Sequence, residues 1–173
     1  MPIPYGERWG MDSPPEETYS VVSHPERFAP LLEVAKALRA HLLETYDVTE
    51  DGDRLTPADP AAAPLEIELT DFPGVRVRAG FAGSMGAPGC GCDACDEGLE
   101  ESAEELERYV FAVVAGRYQE RLDGKWVTIE TWDEQGSGRS EGSRNNYSKD
   151  VIAALRRHGT WKPWPLRIGP GTS

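Results

Sequence analysis

The chain has 173 residues, a formal net charge of −12, 39% hydrophobic residues and 28% charged residues. Its length fits one domain, since single cores stop growing only above roughly 250 residues. The acidity repels phosphate backbones, which excludes general nucleic-acid binding and leaves a basic protein partner or a cation as the matching ligand. No run of about 18 apolar residues is present, so no transmembrane helix is expected. Met1-Pro2-Ile3-Pro4-Tyr5-Gly6 has neither the basic patch nor the apolar stretch of a signal peptide. The expected location is the cytoplasm.

Residues 1–19 carry Pro2, Pro4, Pro14 and Pro15 and read as an extended or disordered arm, with Trp9 and Tyr19 able to pin parts of it. Ser23-His24-Pro25-Glu26 has the form of a capping box at a helix start. Pro30 would break a helix already running, so residues 24–29 are expected to form a separate turn. Leu31, Leu32, Ala35, Leu38, Leu42 and Tyr46 then recur at three- and four-residue steps, which predicts an amphipathic helix over 30–46. Residues 49–64, with their acids and prolines, read as a loop.

Leu65, Ile67 and Leu69 alternate with Glu66 and Glu68, and Val75, Val77 and Ala79 alternate with Arg76 and Arg78. Pairing Leu69 with Val75 puts the apolar side chains on one face and sets Glu68 opposite Arg76 and Glu66 opposite Arg78. That hairpin is specified twice, by hydrophobicity and by charge. A Gly-rich stretch over 80–95 follows. A second amphipathic helix over 96–115 carries Leu99, Ala103, Leu106, Val110 and Val113 on one face, with acids in its first turns, where the helix dipole favours them.

Asp123-Gly124 signals a second hairpin, with Tyr118, Leu122, Val127 and Ile129 on one face and Arg117, Arg121, Trp126, Glu130 and Trp132 on the other. A helix or the Trp-rich tail is expected to cover Trp126 and Trp132, because large exposed aromatic patches are uncommon on monomers. Residues 134–146 read as a flexible loop, and Ser148 as the cap of a short helix ending near Gly159, with His158 a cation favouring its dipole. The segment 161–166 is aromatic enough to lie on the body, and 168–173 forms a disordered tail. The expected fold is α+β, one domain over 20–167, in the order α-ββ-α-ββ-α. Two hairpins make one antiparallel sheet with two long helices packed on its apolar face.

One segment points at chemistry. Cys90, Cys92 and Cys95 have the spacing C-x-C-x-x-C. Three cysteines within six residues do not make a disulfide framework, and soft thiolates in one bend suit zinc, copper(I) or an iron–sulfur cluster. A structural zinc takes four ligands. The expected set is Cys90, Cys92 and Cys95 with Asp96 or the remote His24 closing the shell; Asp93 is a further local candidate. Two other readings stand beside it: a redox dithiol of Cys92 and Cys95, and plain reduced thiols. A Cys95–His24 nucleophile pair is the weakest. No nucleophile elbow, P-loop or H-E-x-x-H motif is present, so no catalytic residue is assigned. The alternative to metal binding is an inhibitor-like interaction module whose acidic face takes a basic partner.

Ser20-Val21-Val22-Ser23-His24-Pro25-Glu26-Arg27-Phe28, Asp71-Phe72-Pro73-Gly74, Cys90-Gly91-Cys92-Asp93-Ala94-Cys95-Asp96-Glu97 and Trp164-Pro165-Leu166-Arg167 together resemble an uncharacterised family of small proteins from high-GC Gram-positive bacteria, a domain of unknown function. The resemblance covers most of residues 19–167. It implies one domain and a shared site at His24 and the cysteine loop, and it implies no reaction.

Overall fold

A computed structural model describes residues 3–169. Met1 and Pro2 of the expected arm, and 170–173 of the expected tail, lie outside the described residues. The hairpin specified by both hydrophobicity and charge is present: β3 (Leu65–Thr70) and β4 (Gly74–Ala79) pair with Leu69 opposite Val75, Glu68 opposite Arg76 and Glu66 opposite Arg78. Leu65, Ile67, Val75, Val77 and Ala79 are buried on one face. On the other face Arg76 pairs with Glu68, and Arg78 with Glu66. Helix α1 (Pro30–Thr45) lies across these strands through Leu31, Ala35, Leu38 and Leu42. Before it, Pro25–Phe28 forms the separate turn that Pro30 demands.

The architecture is α+β, and the single sheet of two hairpins is corrected to two sheets. The loop expected over 49–64 contains a hairpin, β1 (Val48–Asp51) and β2 (Arg54–Pro57), which extends the first sheet beside β3. Within the Gly-rich stretch, β5 (Gly83–Ala87) closes the other edge, giving the order β1-β2-β3-β4-β5. Gly83 is required there by close approach, because a Cβ would stand 1.9 Å from the Tyr118 hydroxyl. The second long helix, α2 (Leu99–Val114), packs beside α1 and onto β5. It starts at Leu99 rather than near residue 96 because Asp96 is left-handed (φ 53°) and Gly98 is extended.

The second sheet has three strands, β6 (Tyr118–Asp123), β7 (Trp126–Trp132) and β8 (Ser137–Ser143). Asp123 pairs with Trp126, so the turn falls on Gly124-Lys125, one residue beyond the Asp-Gly reading. β8 replaces the flexible loop expected over 134–146. Its polar side chains give no alternation, and the ladder to β7 makes it a strand. Helix α3 (Lys149–Arg157), capped by Ser148, closes a small second core of Val127, Ile152 and Leu155.

Glu120 joins the two sheets. It is 2% exposed, and its carboxylate accepts the backbone N–H groups of Phe81, Ala82 and Gly83 and the Trp161 indole N–H. The tail lies on the body as expected: Trp161 and Trp164 are buried, and the Trp164 indole donates to the Ala63 carbonyl at 2.7 Å.

Two expectations fail here. Trp126 and Trp132 are not covered, being 54% and 37% exposed. His158 is not a dipole-paired cation: it stacks on Trp161, with ring centroids 3.8 Å apart, and burial lowers its pKa. Among the described residues, no helix is long and apolar enough to cross a membrane.

Candidate metal centre

Between β5 and α2 the chain runs through residues 88–98, which carry the three cysteines. Cys90 Sγ lies 3.2 Å from Cys92 Sγ, and Cys92 Sγ lies 3.4 Å from Cys95 Sγ. All three sulfurs stand within 4.8 Å of one another, and all three are free thiols. Thiolates on one zinc, at a Zn–S length of about 2.3 Å and tetrahedral angles, stand about 3.8 Å apart. Shifts of roughly half an ångström would bring these sulfurs onto one ion. Cys90 and Cys95 are exposed and Cys92 is half-buried, so the site is at the surface.

The bend is held from both sides. The Glu97 carboxylate accepts the N–H of Gly89 at 2.7 Å, the N–H of Cys90 at 3.0 Å and the Ser102 hydroxyl at 2.9 Å, tying the loop to the first turn of α2. Gly91 is left-handed (φ 82°), and a Cβ there would meet the Phe72 ring at 3.0 Å, so both backbone and space call for glycine.

From the other side comes the N-terminal arm. Arg8 donates its backbone N–H to the Asp96 carboxylate at 2.7 Å, and its guanidinium pairs with the same carboxylate. The Arg8 guanidinium and the Trp9 indole both donate to the Asp93 carbonyl, at 2.8 and 3.0 Å. Asp93 N–H donates to the Val21 carbonyl and Ala94 N–H to the Thr18 carbonyl. Arg8 and Arg27 each stack over the Tyr5 ring at 3.8 Å, and Arg27 donates to the Gly91 carbonyl at 3.3 Å.

These contacts set the local electrostatics. The Asp93 carboxylate accepts the Ser23 N–H at 3.0 Å. Hydrogen bonding from the Ser23 side chain, then from this backbone N–H, with Arg8 and Arg27 adding, holds its pKa below the usual value against desolvation. The Cys90 side-chain hydrogen bond, helped by the Cys95 backbone N–H, brings Cys92 down to about 7. Hydrogen bonds with Cys90 and Cys92, then desolvation, push Cys95 up to about 12. Near neutral pH Cys92 is thus about half ionised while Cys95 keeps its proton. A divalent cation supplies the field needed to ionise the rest.

The structure brings Cys90, Cys92 and Cys95 together and places His24 and Asp96 elsewhere. Among the described residues, the cluster of ligand atoms holds the three sulfurs only. The Asp96 carboxylate is engaged by Arg8. His24 is left-handed (φ 56°), its side chain is 72% exposed, and its Nδ1 faces Glu26 at 2.9 Å. The His24 turn does reach the cysteine loop, but through the Ser23 backbone and Arg27. The capping box is not formed: Ser23 spends its N–H on Asp93, and the turn has no side-chain cap. Glu97 and Arg8 are the residues that sequence reasoning missed. The only signal for Arg8 was a lone arginine between Tyr5 and Trp9.

A family profile described as Family of unknown function (DUF6226) matches residues 1–168. The chain belongs to this family. The DUF6226 span includes the arm as well as the cysteine loop, so the contacts between Arg8, Trp9 and the loop lie within one family domain. A search of curated proteins and a search of solved structures each find no match.

Proposed function

We propose that the protein binds one metal ion, zinc, through Cys90, Cys92 and Cys95. The convergence of the three free sulfurs carries this reading. Thiolates select soft or borderline ions, and zinc accepts them without redox chemistry. The loop is already shaped by Glu97, Arg8 and Ser23, so little ordering opposes binding. The ion would fix the start of α2 and the seat of the N-terminal arm, a structural rather than catalytic role. A reducing compartment such as the cytoplasm keeps the thiols available. Elemental analysis of protein purified without chelator tests this: about one zinc per chain is expected, and less than about a tenth of an equivalent overturns it.

A second reading rests on the outer face of α2, where Glu100, Glu101, Glu104, Glu105 and Glu107 are all exposed. Burial and the neighbouring carboxylates Glu97 and Glu101 raise the pKa of Glu105, as expected where like charges crowd. On this reading the protein binds a basic partner. Its mark is co-purification that fails at high salt and survives Cys→Ser changes at all three positions.

A further inference from the structure

The carboxylates around the sulfurs are already engaged. Asp93 accepts the Ser23 N–H, Asp96 is held by Arg8, and Glu97 accepts Gly89, Cys90 and Ser102. Withdrawing any of them strands backbone donors or an arginine. His24 points at Glu26. Zinc takes four ligands, and the described residues bring three. Exposure of Cys90 and Cys95 turns the remaining side of such an ion to solvent.

Charge decides which donor suits that side. Zinc with three thiolates carries one net negative charge. Asp93, Asp96 and Glu97 outnumber Arg8 and Arg27 around the loop, and Glu100 and Glu101 follow in the first turn of α2. A further anion meets repulsion from every one of these, whereas a neutral donor does not. Three thiolates also satisfy much of the ion's demand for electrons, so a bound water there stays neutral and is readily exchanged.

Resting on the zinc reading, we propose that the fourth coordination position is an exchangeable site for a neutral imidazole nitrogen, supplied by a histidine in a basic segment of a partner protein. The exchange is balanced: one zinc–oxygen bond to water breaks, one zinc–nitrogen bond forms, water leaves and no charge changes. The product is a Cys3His shell, a familiar structural zinc set. Basic residues flanking that histidine gain from the acids on α2.

The test uses the full-length protein loaded with cobalt(II), whose ligand-field bands report the shell. Imidazole is expected to shift these bands saturably, one per cobalt. Azide, an anion, is expected to need at least a roughly ten-fold higher concentration. A Lys-His-Lys peptide is expected to bind more tightly than Glu-His-Glu, and H24A to leave both the starting spectrum and the imidazole response unchanged.

Bands indifferent to imidazole but altered by H24A would place the fourth ligand inside the chain and overturn the inference. Azide binding as tightly as imidazole, or equal binding of the two peptides, would overturn its charge argument. These failures leave the zinc reading intact. Absence of thiolate-to-cobalt charge transfer, with no stoichiometric uptake, overturns the zinc reading itself.

Discussion

Glu97 is the side chain on which the shape of the cysteine loop most depends, and its replacement has a calculable consequence. One oxygen accepts the Gly89 N–H and the Ser102 hydroxyl; the other accepts the Cys90 N–H. Each charge-assisted bond contributes about 1 kcal/mol net in a partly solvated setting. E97A removes all three, so about 2–3 kcal/mol of loop order must come from metal binding instead, which corresponds to roughly 30- to 150-fold weaker affinity. E97Q keeps one acceptor oxygen but turns an amide toward a backbone donor. It is expected to fall between, at roughly ten-fold. Competition with a chromophoric chelator reads the affinity, and thermal unfolding of the metal-free protein controls for general damage. If E97A binds zinc within about two-fold of the parent while retaining its fold, the loop is not preorganised by this carboxylate and the reasoning fails.

Three further outcomes are expected. E120A strands the Phe81, Ala82 and Gly83 N–H groups and the Trp161 indole beside a buried void. It should lower stability in urea by about 3–5 kcal/mol, and a loss below 1 kcal/mol would show that Glu120 does not join the sheets. R8A leaves the Asp96 carboxylate, 8% exposed, without its partner. It should cost about 2 kcal/mol, or roughly 4–8 °C in Tm, and raise proteolysis within the arm; an unchanged arm digest contradicts the docking described above.

The third concerns thiol reactivity. With Cys92 lowered to about 7 and Cys95 raised to about 12, iodoacetamide should modify Cys92 first in metal-free protein. The rate should rise with pH through a midpoint at about 7 and level off about one pH unit above it, as the thiolate fraction saturates. Cys95 should stay slow until far higher pH despite its exposure. Mass mapping that finds Cys95 modified first reverses the order.

The parts of the fold that could be read in advance are those where two local signals agree. Glu66, Glu68, Arg76 and Arg78 alternate with apolar residues, so charge and hydrophobicity chose the same register. Strands β1, β2 and β8 carry few apolar side chains and are strands because a neighbour supplies the ladder. The three sulfurs are close in space because they are close in sequence. What shapes their bend is not: Arg8 and Asp96 are separated by 88 positions, and Ser23 and Asp93 by 70. An arm rich in proline carries no periodicity to announce such contacts. Glu120 does carry a local signal. It is an acid between Tyr118 and Leu122 on the apolar face of a hairpin, and burial there demands several donors.

X-ray absorption at the zinc edge, on full-length protein loaded with one equivalent, tests the central claim most directly. Three sulfurs at about 2.3 Å and one lighter oxygen or nitrogen atom at about 2.0–2.1 Å are expected. A shell with fewer than three sulfurs would contradict joint ligation by Cys90, Cys92 and Cys95.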